Sequence, residues 1–221
     1  MGFLSRRRFG VTAGPTRAWL DPVRYLANAS TGSLGAMISD KLGSMGAAVD
    51  HILGPGAVRP IHPNVRIHEA DTPQDVIRCV EMFSGDAPPF DAWIHAMAIL
   101  DFIPAETSPE KIDSDREEWN LKLIPTPKII RRFKALYPDA LLVGFKLETG
   151  DNHEDLKSAA RHLGIKADCN LVVANFAPFK NPGKHTGFLF EPSVEKWSEP
   201  YIGKEAIADA LVNWLLRRLD G

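Results

Sequence analysis

Short apolar runs alternate with amphipathic segments along most of this 221-residue chain. Residues 9–12, 49–53 and 91–96 have the length and composition of buried strands, and residues 31–47 repeat apolar side chains at helical spacing. Strands separated by helices favour a parallel sheet, because a parallel connection has to cross the sheet and usually does so through a helix. The sequence therefore predicts an α/β fold, a Rossmann-like open parallel sheet with helices on both faces.

The same alternation continues towards the C-terminus. Thr72 and Pro73 have the residue types of a helix N-cap and a first helical position. Further strands are predicted at residues 65–68, 140–145, 171–174 and 187–190, and further helices at 72–83, 127–136, 153–163 and 204–219. No linker, repeat or low-complexity segment divides the chain, so we expect residues 1–221 to form a single domain.

The alternation of predicted strands and helices is interrupted between residues 98 and 127. Prolines interrupt this segment, and residues 119–124 alternate as an exposed strand would. Long excursions within a compact domain are usually functional. We expect residues 101–126 to form an arm inserted into the sheet topology.

Composition excludes several classes of function. The chain is 44% hydrophobic and 24% charged with a net charge of −2, which gives no basis for binding nucleic acid. It has no apolar stretch long enough to span a membrane and no apolar signal region after the arginines near its start, so a cytoplasmic protein is expected. Histidines and cysteines are not paired at metal-ligand spacing, so no metal-binding residues are predicted.

A predicted anion site lies where the first strand ends. The strand breaks at Gly14 and Pro15, and Ser30, Thr31 and Gly32 open the following helix. Small residues let backbone N–H groups approach a phosphate, and a helix N-terminus favours negative charge. The spacing differs from the GxGxxG pattern of dinucleotide-binding proteins, because a polar, turn-forming insertion separates the two halves of the site.

Four further residues are candidates for binding or catalysis. Arg24, in the insertion, can hold a phosphate or carboxylate bidentately, although it could equally be a solvated loop arginine. Asn28 can donate to an acyl oxygen without changing protonation state, but Asn is also a common helix N-cap. Ala98 and Asp101 follow a predicted strand at its carboxyl end, where open parallel sheets bind ligands.

These residues resemble the phosphopantothenoylcysteine synthetase family. The matching motifs are TAGPTR at residues 12–17, DPVRY at 21–25, and Asn28 followed by the cluster at 30–35. The chain departs from the family pattern at Ser33, where a lysine is usual, and at Met97 and Leu100, where alanines are usual.

The resemblance implies a phosphopantothenate–cysteine ligase of coenzyme A biosynthesis that acts through an acyl-nucleotide intermediate. It assigns catalysis to Asn28 and Arg24 and substrate binding to Ala98 and Asp101. The implied nucleotide-binding residues are Gly14, Ser30, Thr31, Gly32, Lys111, Pro127, Phe145 and Lys146. It also implies small-molecule substrates, Mg²⁺ accompanying CTP or ATP, and a homodimer formed through the arm.

The sequence leaves two nucleotides, CTP and ATP, as alternatives. Residues 145–149, FKLET, look like the eukaryotic-type synthetases, which use ATP, whereas the common bacterial form has FAAET and uses CTP. The motifs of the flavin-dependent decarboxylase that is often fused to this family are missing, so no flavin is expected.

Two alternatives remain at this stage. One is a Rossmann-like oxidoreductase that binds NAD(P) or flavin, but it would need an acidic residue at the end of the second strand, and residues 51–53 supply none. The other is a non-catalytic nucleotide-binding relative, suggested by Ser33, Met97 and Leu100.

Overall fold

The computed structural model describes residues 4–85, 88–176 and 185–219. Its helices are α1 (Ser33–Ser44), α2 (Pro73–Met82), α3 (Ile130–Leu136), α4 (His153–Ala167) and α5 (Lys204–Leu219). Its strands are β1 (Arg8–Ala13), β2 (Arg17–Asp21), β3 (Arg24–Ala27), β4 (Ala48–Leu53), β5 (Val65–Glu69), β6 (Ala92–His95), β7 (Phe102–Pro104), β8 (Leu123–Pro125), β9 (Leu141–Glu148), β10 (Leu171–Phe176), β11 (Thr186–Glu191), β12 (Lys196–Trp197) and β13 (Tyr201–Ile202).

Within the described ranges, nine strands form one mixed and mostly parallel sheet. Its order is β12-β11-β10-β9-β6-β1-β4-β5, and β13 also pairs with β11. The six strands from β10 to β5 are parallel, which confirms the predicted Rossmann-like sheet. By contrast, β11 runs antiparallel to β10, because the chain between them is shorter than the dozen or more residues that a parallel crossover needs.

Helices cover both faces of the sheet. The first core cluster joins α1 and α5 to one face, through side chains that include Ile38, Leu42 and Leu211. The second joins α2, α3 and α4 to the other face, through side chains that include Val80, Phe133 and Leu156. The strands between the two clusters are buried on both sides, as expected for a parallel sheet.

Local sequence signals account for most element boundaries. Thr72 caps α2 with a capping box, since its hydroxyl accepts from the N–H of Asp75 and the Asp75 carboxylate accepts from the N–H of Thr72. The predicted range 204–219 coincides with α5. In contrast, α1 begins at Ser33, two residues later than predicted, because Gly32 takes the N-cap position in a left-handed conformation.

The insertion after β1 is more ordered than the sequence suggested. Instead of an irregular polar turn, it folds as the β2–β3 hairpin, with Arg17 opposite Ala27. Trp19 and Tyr25 face each other across the two strands with ring centroids 5.2 Å apart, and the Arg17 guanidinium lies over the Tyr25 ring. Such cross-strand aromatic and cation–π contacts stabilise a short hairpin.

Two short strands in the segment predicted as an arm form a second two-stranded ribbon. β7 pairs antiparallel with β8, from Phe102 opposite Pro125 to Pro104 opposite Leu123. The strand expected at residues 119–124 forms only at Leu123–Pro125. None of the helices in the described part of the chain is both long and apolar enough to cross a membrane.

The connections of the sheet reverse direction between β1 and β6. The chain leaves β1 through α1 towards β4 on one side, and returns through α2 to β6 on the other side. Ligands of open α/β sheets bind at such a reversal, outside the carboxyl ends of the strands.

Candidate functional site

The loops that follow β1 and β6 are joined by backbone hydrogen bonds. The N–H of Ala98 donates to the carbonyl of Gly14 across 2.8 Å, and the N–H of Thr16 donates to the carbonyl of Ala98 across 3.3 Å. Pro15 and Ala98 are therefore paired as an isolated parallel bridge. This pairing extends the sheet beyond both strand ends and brings two of the predicted site residues, Gly14 and Ala98, together.

Gly14 and Gly32 form a tight backbone cradle beside this bridge. Both have positive φ, 89° and 67°, which L side chains rarely adopt. A Cβ atom on Gly14 would lie 2.6 Å from the Cβ of Ala57, and one on Gly32 would lie 2.8 Å from the same atom. Because Gly32 caps α1 without a side chain, the first-turn N–H groups of the helix receive no side-chain cap from that residue, and the cradle has the chemistry of an anion site.

Asn28 faces the same loops. Its Nδ2 donates to the carbonyls of Ala98 and Ile99, each across 3.2 Å. Gly32, and not Asn28, is the N-cap of α1, so the helix-cap alternative for Asn28 is wrong. With both amide hydrogens held by carbonyls, Oδ1 is the polar atom of Asn28 that has no hydrogen-bond partner among the described residues.

Hydroxyl groups and one lysine gather at the start of α1. The hydroxyls of Thr31 and Ser33 lie 3.0 Å apart, and Nζ of Lys204 donates to Oγ of Ser33 across 2.6 Å. Lys204 thus brings a positive charge to the first residue of α1, the position where the resembled family usually carries its own lysine. Sequence reasoning missed Lys204, because 171 residues separate it from Ser33 and nothing at the start of α5 indicates the contact.

The charge of Lys204 also acts on a neighbouring histidine. Burial lowers the pKa of His185 below its ordinary value, and the nearby Lys204 ammonium lowers it further. Nε2 of His185 lies 3.2 Å from Nδ2 of Asn175, which is itself buried at the end of β10. Lys204 therefore brings positive charge to this corner of the site and disfavours a second positive charge on His185.

Arg24 lies at the junction of the hairpin and the arm. Its Nη2 donates to the carbonyl of Ile112 across 3.0 Å, and its guanidinium stands over the Trp119 ring at 5.4 Å. Lys111, the residue directly before Ile112, is exposed. The structure thus brings Arg24 and the Lys111 segment together through the arm.

The base of the arm is anchored to the loops that follow β1 and β6. Thr126 donates from its hydroxyl to the carbonyl of Leu100 and from its N–H to the carbonyl of Asp101. Leu100 in turn donates its N–H to the buried hydroxyl of Thr16 across 3.1 Å. Asp101 keeps its carboxylate on the surface, paired with the ammonium of Lys128. The arm therefore begins and ends at the loop that carries Ala98.

The remaining predicted nucleotide-binding residues are not gathered in one place. Phe145 packs against the core cluster of α1 and α5, whereas Lys146, its neighbour on β9, pairs with Glu148 beside a hollow bordered by α4. Consecutive side chains on a strand point to opposite faces, so these two do not line the same side of the sheet. Pro127 lies in a cleft bordered by α2 and α3, and Ser30 has its N–H bonded to the carbonyl of Asn28.

A cavity of about 410 Å³ adjoins the cradle at the carboxyl ends of β4 and β5. Ala57, which contacts both cradle glycines, is part of its wall. Arg17 and Arg59 contribute positive charge to this wall, and Asp71 and Glu69 pair with them. The cavity therefore offers a nearly neutral, polar surface next to the positively polarised helix start.

One histidine at the end of β6 is held neutral. Nδ1 of His95 lies 2.7 Å from the hydroxyl of Thr12, and burial lowers the pKa of His95 to about 4. Within residues 4–85, 88–176 and 185–219, no three His, Cys, Asp or Glu side chains are placed to hold a metal ion. The site is thus built from backbone donors, amides, hydroxyls and cations.

Relatives of this chain share both its sequence and its fold. A Coenzyme A biosynthesis bifunctional protein CoaBC from Thermococcus kodakarensis is 39% identical over 78% of this chain and 42% of its own length. A Cysteine/Cysteine sulfinic acid decarboxylase from an unknown prokaryotic organism is 34% identical over 83% of this chain and 49% of its own length. The chain therefore spans about half the length of these relatives or less.

Solved structures match almost the whole chain. The DNA/pantothenate metabolism flavoprotein from Streptococcus pneumoniae superposes with a TM-score of 0.84 at 29% identity, covering 96% of this chain and 99% of its own. A Cab2 mutant in complex with phosphopantothenate-cysteine shares the fold, with a TM-score of 0.74 at 16% identity over 98% of this chain and 90% of its own.

The chain also matches the sequence profile of a protein family over nearly its whole length. The sequence profile of the DNA/pantothenate metabolism flavoprotein C-terminal domain matches residues 4–219, which include every element of the fold described above. The chain belongs to the family of the DNA/pantothenate metabolism flavoprotein C-terminal domain.

Proposed function

We propose that this chain is a phosphopantothenate–cysteine ligase that joins 4′-phosphopantothenate to cysteine at the expense of a nucleoside triphosphate. The observation that carries the proposal is the meeting of Asn28, Ala98 and the Gly14–Gly32 cradle at the loops that follow β1 and β6. Family membership supports it, as do the name of the CoaBC relative and the ligand of the Cab2 complex.

The proposed reaction has two steps. The carboxylate of phosphopantothenate attacks the α-phosphorus of the nucleotide, and the bond to pyrophosphate breaks. The amine of cysteine then attacks the acyl carbon, loses a proton, and expels the nucleoside monophosphate. A carboxylate and a triphosphate repel each other, so the site has to supply positive charge and oriented donors rather than a protein nucleophile.

The start of α1 fits the triphosphate. The first-turn N–H groups of α1, the Thr31 hydroxyl and the Lys204 ammonium converge there. Mg²⁺ would neutralise charge on the phosphates and take its ligands from them and from water, which suits a site in which the described residues offer no metal cage of their own.

Asn28 fits the acyl group. Its Nδ2 is anchored to the Ala98 and Ile99 carbonyls, which leaves Oδ1 able to accept a hydrogen bond from the attacking amine of cysteine. An amide in this position orients the amine without carrying charge, so it does not repel the acyl phosphate. Ala98 contributes its backbone rather than its side chain, because its N–H and carbonyl bond Gly14, Thr16 and Asn28.

The arm fits a role in pairing two copies of the chain. Phe102, Leu123 and Ile124 lie on its two strands and expose 53%, 44% and 39% of their surfaces. An exposed apolar ribbon with two free edges is stabilised when a partner covers it. We place the interface of a homodimer at residues 101–126.

The reaction is tested by measuring pyrophosphate and product separately. Pyrophosphate should appear only when phosphopantothenate, CTP or ATP, and Mg²⁺ are all present, and the amide should form only when cysteine is added. Parallel assays with CTP and ATP identify the nucleotide. Absence of pyrophosphate with both nucleotides, together with a thermal shift from either one, would replace the enzymatic proposal with nucleotide binding alone.

A further inference from the structure

We propose that Asp21 is a positioning residue that fastens the Lys111 segment of the arm to Arg24. This inference rests on the proposed function, because the family resemblance assigns Arg24 to catalysis and Lys111 to nucleotide binding in that reaction. Asp21 is the last residue of β2, next to the turn of the β2–β3 hairpin, and only 1% of its surface is exposed. A buried carboxylate at the edge of the fold needs several donors to offset the loss of water, and here they come from two segments that are distant in sequence.

The two oxygens of the Asp21 carboxylate face different segments. Oδ1 accepts from the N–H groups of Val23 and Arg24, across 2.9 and 2.8 Å, which shapes the hairpin turn. Oδ2 accepts from the N–H of Ile112 in the arm across 3.2 Å. One carboxylate thus connects the hairpin turn with a residue 91 positions away.

Arg24 closes the connection from the other side. Its Nη1 lies 3.4 Å from Oδ2 of Asp21, and its Nη2 donates to the carbonyl of Ile112. Both backbone polar groups of Ile112 are therefore held, the N–H by Asp21 and the carbonyl by Arg24. Since Lys111 precedes Ile112 directly, this arrangement fixes the backbone from which Lys111 extends.

Neighbouring contacts align the arm with the hairpin but do not replace this connection. The N–H of Ser108 donates to the carbonyl of Leu20, and the hydroxyl of Thr107 donates to the carbonyl of Trp19. These bonds hold the segment before Lys111, whereas Asp21 holds the residue after it. Burial acts to raise the pKa of Asp21, but the N–H groups of Val23, Ile112 and Arg24 together with the Arg24 charge outweigh it and keep the pKa below its ordinary value.

The consequence is that Arg24 and Lys111 move as one unit. An aspartate is needed because it accepts on both oxygens, whereas an asparagine presents an N–H₂ group to one of the two sets of N–H donors. Asp21→Asn should therefore release Ile112 while it keeps the size of the side chain. A freed Lys111 segment would contact the triphosphate less often, which weakens nucleotide binding more than it slows the chemical steps.

Hydrogen exchange on the ligand-free protein tests the connection without any assay of activity. In Asp21→Asn the amide of Ile112 should exchange about tenfold faster or more than in the wild type. Asp113→Asn is the matched control, because Asp113 is exposed on the same arm and its Oδ1 accepts the N–H of Asp115, a neighbour in sequence. Unchanged exchange at Ile112 in Asp21→Asn would overturn the proposal.

Kinetics then test whether the connection positions the ligand-binding residues. The KM for the nucleotide should rise about tenfold in Asp21→Asn while kcat changes less than about threefold, and Asp113→Asn should match the wild type. Faster exchange with an unchanged KM would overturn the positioning role. If the wild type itself releases no pyrophosphate, the proposed function fails, and the exchange result still decides whether Asp21 holds the arm.

A second variant protects the test against misfolding. Ile112→Pro removes the N–H that Asp21 accepts and leaves the carboxylate in place. If Asp21→Asn does not fold, as judged by circular dichroism and its melting temperature, the same exchange comparison is made at Ser108 and Lys111 in Ile112→Pro. Faster exchange there supports the connection, and wild-type exchange overturns it.

Discussion

Nζ of Lys204, the first residue of α5, donates a hydrogen bond to Oγ of Ser33, the first residue of α1, across 2.6 Å. No carboxylate among the described residues pairs with Lys204, since its neighbour Glu205 faces Lys41 instead. The two helices that cover one face of the sheet therefore meet with an ammonium group at the positive end of α1. Such an ammonium adds to the field that favours phosphate at this helix start.

Replacing Lys204 should weaken nucleotide binding. In Lys204→Gln the KM for the nucleotide is expected to rise about tenfold, because a charge-assisted hydrogen bond to phosphate is lost while the helix start remains. Lys41→Gln is the matched control, since Lys41 lies at the same α1–α5 interface but pairs with Asp209. Steady-state kinetics at varied nucleotide concentration measure the KM of both variants. An equal rise in KM in the two variants would assign Lys204 to the α1–α5 interface alone.

Asn28→Asp should impair the second step more than the first. A carboxylate has no N–H to donate to the carbonyls of Ala98 and Ile99 and would repel them and the acyl phosphate, so its oxygen is no longer held where it accepts from the cysteine amine. We expect the second step to slow about tenfold or more. The acyl-nucleotide should accumulate in a single turnover and be visible by mass spectrometry. Asn64→Asp provides the control, because Nδ2 of Asn64 also donates to a backbone carbonyl, that of Gly43. Equal slowing of both steps in Asn28→Asp would contradict a role in amide formation.

Gly14→Ala should destabilise the fold more than Gly56→Ala. Both glycines have positive φ, so both alanines incur backbone strain of about 1–2 kcal/mol. Only the Cβ at position 14 meets another atom, the Cβ of Ala57 at 2.6 Å, whereas nothing lies within 4 Å of a Cβ at position 56. Urea unfolding measures the difference. An equal loss of unfolding free energy in the two variants would show that the cradle accommodates the added Cβ without losing stability.

The stability of the protein should fall as the pH falls below the ordinary pKa of histidine, in part through His51. This histidine is fully buried, bonds Ser39 across 2.7 Å, and has its pKa lowered by burial to about 4. Between the ordinary pKa of histidine and the lowered pKa of His51, the unfolded chain binds more protons than the folded chain. The stabilisation is therefore present above this pH range and is lost as the pH falls through it. From about pH 7.5 to about pH 5, His51 should account for about 2 kcal/mol.

The variant His51→Asn isolates this contribution. Its free energy of unfolding should depend less on pH than that of the wild type, whatever its stability at neutral pH. His162→Asn, which alters an exposed histidine, should retain the wild-type dependence. Urea unfolding at the two pH values gives the comparison, and parallel curves for wild type and His51→Asn would refute the assignment.

Substitution of the arm should produce monomers. Leu123→Asp together with Ile124→Asp places two charges on the exposed apolar ribbon, which should disfavour its burial between subunits. Ile165→Asp serves as the control, because Ile165 is 68% exposed on α4, away from the arm strands. Light scattering should find a dimer for the wild type and for the control. A wild type that is already monomeric at micromolar concentration contradicts the proposed interface.

Structural elements that depend on contacts between sequence neighbours could be predicted directly from the sequence. The alternation of strands and helices, the capping of α2 by Thr72 and Asp75, and the limits of α5 follow from periodicity and from hydrogen bonds within a few residues. The glycines of the cradle were also recognisable, because small residues at a strand end and a helix start are typical of anion sites. Each of these features is determined by residues that lie close together in the sequence.

Features that join distant segments were not recognisable, because they depend on which elements become neighbours. The antiparallel edge at β11 and the pairing of Trp19 with Tyr25 in the hairpin arise from strand pairing, which local propensity does not specify. Asp21 reaches Ile112, and Lys204 reaches Ser33, only after the sheet has brought the hairpin to the arm and α5 to α1. The residue types at the site are known from the sequence itself. Which group each charged side chain pairs with is determined by packing across the whole fold.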